Sequence, residues 1–247
     1  GKFYLVPRKE IPSLRRLEFF WKKLQGHKKE GHKKAWSDKY YQLPKHQALE
    51  LLALRASGYV FQGDDEWKKI CAFYDGLGGR TDLVAVPKTV KADLKNYQHE
   101  GMQWLLDLYT LRLGALLADD MGLGKTLQAL AFLDHLRVQE QLGQVLVVVP
   151  SSLVYNWEAE IQKFTPDLPL DIFASRDQDR VGKKLETKQP LILVTTYGLL
   201  MENSEFFAQY NWNVLIFDEA QNLKNIAAKR TSAARMLNAR FKICLTG

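Results

Sequence analysis

The chain has 247 residues, 46% hydrophobic and 26% charged, with a formal net charge of +7, a composition that suits one large or two ordinary domains with a real core. No apolar run approaches the ~18 residues of a membrane-crossing helix, and the opening "GKFYLVPRKE" has no apolar stretch with a small-residue cleavage site, so neither a membrane span nor a secretion signal is expected. Cys71 and Cys244 are far apart and form no metal-ligand spacing; a reducing, cytoplasmic compartment is expected.

The charge is uneven. Residues 1–90 hold 18 Lys/Arg against 10 Asp/Glu, and residues 91–247 hold 17 against 18. The densest stretch is "WKKLQGHKKEGHKK" (21–34), where eight Lys and His side chains surround two glycines. It reads equally as a solvated loop and as an arm that contacts a polyanion. Helical pieces follow at 46–57 and 64–76, with turn signals at Gly58, Gly63 and "GLGG" (76–79). The first 90 residues are therefore expected to form a basic, smaller, mostly helical accessory region.

Past residue 90 the pattern changes to apolar runs at 114–119, 144–150, 168–174, 191–197, 213–219 and 241–247, alternating with amphipathic stretches. Continuous Val, Ile and Leu runs of that length are expected as strands buried on both faces of a parallel sheet. The fold class is thus α/β, a parallel sheet sandwiched by helices, over 91–247. Polar residues cluster where those runs end: Lys125 and Thr126, Ser151 and Ser152, Thr195 and Thr196, Asp218 and Glu219, and Thr246. In open α/β sheets ligands bind along that edge, so distant positions are expected to meet in one crevice.

"DDMGLGKT" (119–126) falls between the first run and a helical stretch. Gly122 and Gly124 allow a tight turn around Leu123 whose amides point inward, and the following helix offers its positive end to a phosphate. Lys125 suits the outer phosphates, and the Thr126 hydroxyl suits magnesium. Asp119 stands where the phosphate-loop pattern has its first glycine. "FDEAQ" (217–221) supplies two adjacent acids: Asp218 to anchor the metal and Glu219 to act on the attacking water.

In order, these segments resemble the first RecA-like lobe of the SWI/SNF-related ATP-dependent DNA translocases of helicase superfamily two. "LKNYQHEGMQWL" (94–105) looks like the adenine-reading Q motif, "LLADDMGLGKTLQAL" (116–130) like motif I and "VVVPSSLVYNWEAEI" (147–161) like motif Ia. "LVTTYGLL" (193–200) resembles motif Ib, "LIFDEAQNLKN" (215–225) motif II and "LTG" (245–247) the start of motif III. The missing glycine is a trait of that family. Asp120 stands where the family more often has Glu, and Gly198 where it often has an acid.

The resemblance implies ATP and magnesium as ligands and double-stranded DNA as partner. It gives Gln98 hydrogen bonds to the adenine and Gln221 a link between hydrolysis and the nucleic acid. Tyr97 reads more readily as core than as a base contact, and Trp104 as buried. Ser151 and Ser152 at a helix start, with Thr195 and Thr196, are implied phosphate contacts that read backbone rather than sequence; Lys224, Lys229 and Arg230 would add positive charge. The "DEAQ" spelling resembles a bacterial branch, so a cytoplasmic, nucleoid-associated motor is expected. RNA polymerase or another nucleoprotein would be the object remodelled. A second lobe is implied beyond Gly247, so these residues alone are expected to hydrolyse ATP poorly. Two alternatives stay open: an RNA or single-strand helicase lobe, and a non-motor module that holds nucleotide structurally.

Overall fold

Six apolar segments pair into one parallel sheet. The computed structural model describes residues 48–56, 63–76, 83–223 and 229–247. Strands β1 (Ala115–Leu117), β2 (Gln144–Val149), β3 (Leu170–Ile172), β4 (Leu191–Thr196), β5 (Asn211–Phe217) and β6 (Asn238–Leu245) follow the order β1-β6-β5-β2-β4-β3. Each of the six expected runs overlaps one of them, and β5 and β6 begin two and three residues before theirs. Residues 145–149, 192–194 and 214–216 are wholly buried, which explains why the middle strands are unbroken Val, Ile and Leu rather than alternating. The ladder of β6 begins earlier than its apolar run, because Asn238 and Ala239 pair with Asn211 and Trp212.

Contacts divide the chain into two compact units between Gly79 and Arg80. The first contains helices α1 (Ala48–Ala56) and α2 (Asp65–Asp75), close to the expected helical pieces. Asp64 caps α2 by accepting from Trp67 N–H at 2.9 Å, and Arg55 makes two bonds to Asp75, of 2.7 and 2.8 Å. The basic stretch 21–34, Gly58 and most of "GLGG" lie outside the described residues.

The second unit carries the sheet and helices α3 (Asn96–Leu111), α4 (Lys125–Val138), α5 (Val154–Phe164), α6 (Gln178–Glu186), α7 (Tyr197–Glu202), α8 (Ser204–Ala208) and α9 (Lys229–Met236). The charge break near residue 90 does not coincide with a packing boundary. Val84 N–H donates to Gln103 Oε1 at 2.7 Å, and Lys91 N–H donates to Phe164 O at 2.7 Å, so this segment is bonded to α3 and α5 of the second unit. One sheet face buries Leu146, Leu193, Leu215 and Phe217 against Val181, Leu200, Phe207 and Ala233 of α6 to α9. On the other face Tyr109 of α3 and Phe132 of α4 meet Phe241 of β6, with ring centroids 5.6–5.8 Å apart. Trp104, expected in the core, is only half-buried. On that side of α3 the early positions Tyr97 and Glu100 are exposed and the late ones Leu108 and Leu111 are buried, and Trp104 lies between them.

Candidate active site

The residues at the strand ends come together as the parallel register requires. Leu117 pairs with Leu245, Phe217 with Cys244 and Val148, and Val149 with Thr196. The loop after β1 and the turn after β5 therefore flank the end of β6, two strand spacings or about 10 Å apart.

In the loop, Gly122 (φ 83°) and Gly124 (φ 76°) take left-handed backbone, which strains residues with a Cβ. A Cβ at position 124 would also stand 2.6 Å from Gln98 Nε2. Gly124 is the N-cap of α4 and offers no side-chain acceptor, so the first amides of that helix are left for a ligand or solvent. Lys125 Nζ donates to Asp119 O at 2.8 Å and Asp120 O at 3.1 Å, folded back over the loop. Thr126 is half-buried beside it, and Leu123 is exposed. Asp119 does more than end a strand, since its Oδ2 accepts from the wholly buried Gln128 at 3.3 Å.

Asp218 extends the β5 ladder by one residue, its N–H donating to Val148 O at 2.9 Å. Glu219 then turns the chain away with φ at 50°, an uncommon conformation for a residue other than glycine. Asn222 secures the turn, donating to Glu219 O from N at 3.0 Å and Nδ2 at 2.8 Å. The Asp218 carboxylate accepts from Glu219 N–H at Oδ1 (2.9 Å) and from Trp157 Nε1–H at Oδ2 (2.8 Å). Burial pushes this carboxyl above its ordinary range; the Trp157 and Glu219 N–H groups oppose that, the Glu219 charge adds to it, and the Lys125 ammonium pulls it down. That last influence places lysine and aspartate in one electrostatic neighbourhood. Burial also raises the Glu160 carboxyl on α5, and the nearby Asp218 adds to it.

Thr246, just past β6, joins the two sides. Its N–H donates to Leu117 O at 3.1 Å, and its hydroxyl donates to Gln221 Oε1 at 2.8 Å. Gln221 Nε2 in turn donates to the Glu219 carboxylate. Gln98, at the third position of α3, is 8% exposed rather than a surface glutamine. Its Oε1 accepts from Lys95 N–H at 3.0 Å, and its Nε2 donates to Leu123 O at 3.1 Å. Tyr97 beside it is 37% exposed, so it is not a core residue.

Ser151 and Ser152 are exposed, but they form a 3-10 turn before α5 instead of its first turn. Pro150 starts this turn, its carbonyl accepting from Leu153 N–H at 2.9 Å. The Thr196 hydroxyl caps α7 by accepting from Leu199 N–H at 3.1 Å. Thr195 cannot serve as a phosphate contact in this arrangement: it is 1% exposed. Successive strand side chains point to opposite faces, and Thr195 is in register with buried Val148, so only one threonine of the pair reaches the open edge. Lys229 and Arg230 are exposed on α9, and Lys224 lies outside the described residues.

Two contributors escaped the sequence reading. Trp157 and Tyr197 both bond Asp218, the latter donating from its hydroxyl to the backbone carbonyl at 2.8 Å. The available signal was general: buried Trp and Tyr need acceptors for their polar hydrogens, and Tyr197 directly follows β4 while Trp157 lies in the helix after β2. A groove of about 510 Å³ beside β3, lined by Glu158, Gln162, Pro166 and Asp171 among others, contains none of the candidate residues.

A helix-covered parallel sheet with a glycine turn and paired acids on one edge is the architecture of a RecA-like lobe. Residues 97–247 match the SNF2-related domain, and the chain belongs to that family. It is 38% identical over 177 residues to the chromatin-remodeling ATPase INO80 of Arabidopsis thaliana, and 35% identical over 166 residues to the helicase swr1 of Emericella nidulans. Those alignments cover 68% and 66% of this chain but only 12% and 10% of the relatives. Among solved structures, the Sulfolobus solfataricus SWI2/SNF2 ATPase core in complex with dsDNA matches with a TM-score of 0.61 and 38% identity, over 67% of this chain and 34% of that one. These relatives are plant, fungal and archaeal, so the likeness is to the family at large rather than to a bacterial branch.

Proposed function

We propose that this chain is the ATP-binding lobe of a motor that moves along double-stranded DNA. The observation that carries the reading is that the loop holding Lys125 and the turn holding Asp218 and Glu219 follow β1 and β5, which flank β6, at one edge of the sheet. The loop amides around Gly122, Leu123 and Gly124 would receive the phosphates, and Lys125 would exchange its two carbonyl partners for phosphate oxygens. Gln98 would meet the adenine with the amide proton and lone pair its two bonds leave free.

Magnesium fits the oxygens present. Among the described residues no group of three or more His, Cys, Asp or Glu converges, and magnesium is usually held by one or two carboxylates together with substrate phosphates. Thr126 and Asp218 would hold it, and it would neutralise charge that develops on the phosphates. Glu219 would orient and deprotonate the attacking water, and Gln221 would fix the Glu219 carboxylate while Thr246 fixes Gln221. Full-rate hydrolysis would need an arginine from a second lobe, whose absence can cost about 10³ or more in rate; the chain spans about a third of the solved core it matches.

Ser151, Ser152 and the half-buried Thr196 would contact DNA phosphates. The match to a core solved with dsDNA supports duplex over single-strand or RNA substrates. The excess positive charge before residue 90 supports an accessory role on DNA for that region. The motor would work in the cytoplasm, with RNA polymerase or another nucleoprotein as the object remodelled. ATP hydrolysis by the full-length protein with duplex DNA, duplex RNA or neither tests the reading: stimulation by duplex DNA, lost in Lys125→Ala and Glu219→Gln, is expected. Equal rates in all three conditions would remove the motor assignment.

A further inference from the structure

Trp157 lies on α5 with its ring 1% exposed. A buried indole N–H needs an acceptor, and many carbonyls would serve. Here the acceptor is Asp218 Oδ2, 61 residues further along the chain and 2.8 Å away. The other oxygen, Oδ1, accepts from Glu219 N–H at 2.9 Å. The terminal torsion of an aspartate is broad, so the plane of the carboxylate is set by its donors. One donor belongs to the turn itself; the other reaches in from a separate helix. Each carboxylate oxygen has about two acceptor directions, so both bonds leave room for a cation or its water. We infer that Trp157 is a positioning residue for the metal site: its indole N–H holds Asp218 in the orientation that makes nucleotide binding depend on magnesium. The inference rests on the nucleotide-site reading above.

Trp157→Phe keeps an aromatic ring in the core and removes the N–H. The experiment measures equilibrium binding of methylanthraniloyl-ATP to the 247-residue chain, with magnesium and with EDTA. Wild type is expected to bind more tightly with magnesium. In the variant, affinity in EDTA should stay within about twofold while the magnesium-dependent gain falls roughly tenfold, the scale of a lost hydrogen bond to a charged group. Equal losses in both conditions would mean a packing role alone, and a fully retained gain would mean the bond does not orient the carboxylate; either overturns the inference while leaving the nucleotide site standing. Absence of any magnesium-dependent gain in wild type removes the nucleotide-site reading and the inference with it.

Should the variant fail to fold, the indole ¹⁵N–¹H resonance of Trp157 in wild type decides. It is expected to move in Asp218→Asn and again when magnesium is added to the nucleotide-bound chain. A resonance indifferent to both overturns the inference.

Discussion

Gln98 Nε2 donates to Leu123 O at 3.1 Å, so the start of α3 grips the backbone of the glycine turn 25 residues later. With Oε1 on Lys95 N–H, one side chain both caps a helix and holds the loop. Gln98→Ala should cost about 1 kcal/mol of stability. It should also weaken binding of ATP and GTP alike, because the loop position is lost along with any base contact, and narrow the preference for ATP. Thermal melting and binding of the two nucleotides check this; unchanged binding of both would show that the grip does not shape the loop.

Thr246→Val preserves the shape of the side chain and removes the hydroxyl that bonds Gln221 at 2.8 Å. Its backbone bond to Leu117 persists. Nucleotide affinity is expected to hold, and DNA-stimulated hydrolysis by the full-length protein to fall by about tenfold, the worth of roughly 1.4 kcal/mol. A drop in affinity with an unchanged maximal rate would contradict the assignment of this pair to Glu219.

Glycine inside a helix ordinarily gains from replacement by alanine. Gly101 of α3 is an exception, for a Cβ there would lie 1.9 Å from Oε1 of the wholly buried Gln128. Gly101→Ala should therefore destabilise the chain by about 1–3 kcal/mol and disturb the Gln128 bond to Asp119. Urea denaturation measures the loss, and Gln128→Ala in the same chain should recover part of it.

Asp171 on β3 accepts from Arg180 at 2.5 and 3.1 Å and from Lys184 at 2.6 Å. Burial alone would raise its carboxyl, but the two cations together hold it below the usual range. A depressed folded-state value means the ionised form contributes stability above the unfolded value near ~4, and that contribution disappears as pH falls through the folded value. Both cations are about half exposed, so Asp171→Asn should cost only about 1 kcal/mol at neutral pH. Melting temperatures of the two proteins should converge in acid; a gap that is constant with pH would refute the ion-pair account.

The strands and their polar ends were legible because buried parallel strands must be apolar on both sides, which leaves chemistry only at their ends. The loop was legible for a similar reason: Gly122 and Gly124 are where the backbone goes left-handed. Less could be read where one residue serves two neighbours. That Thr195 faces the packed side while Thr196 faces the edge depends on register with Val148 and Val149, which no local pattern fixes. Nor does the charge break near residue 90 mark a packing boundary, since residues 83–91 attach to Gln103, Asp134 and Phe164, partners far along the chain that no local pattern names. Trp157 was hidden by its ordinariness, an aromatic on a helix whose partner lies far away in the chain.

Lys125 does not wait empty-handed, since two backbone oxygens, from Asp119 and Asp120, already accept from its ammonium. An arriving anion must outcompete them, and a small singly charged one offers little that they do not. A chain of linked phosphates brings more oxygens and more charge than it displaces. On the proposed nucleotide-site reading, self-occupation of the lysine would act as a threshold that favours polyphosphates over the chloride, acetate and inorganic phosphate of an ordinary solution.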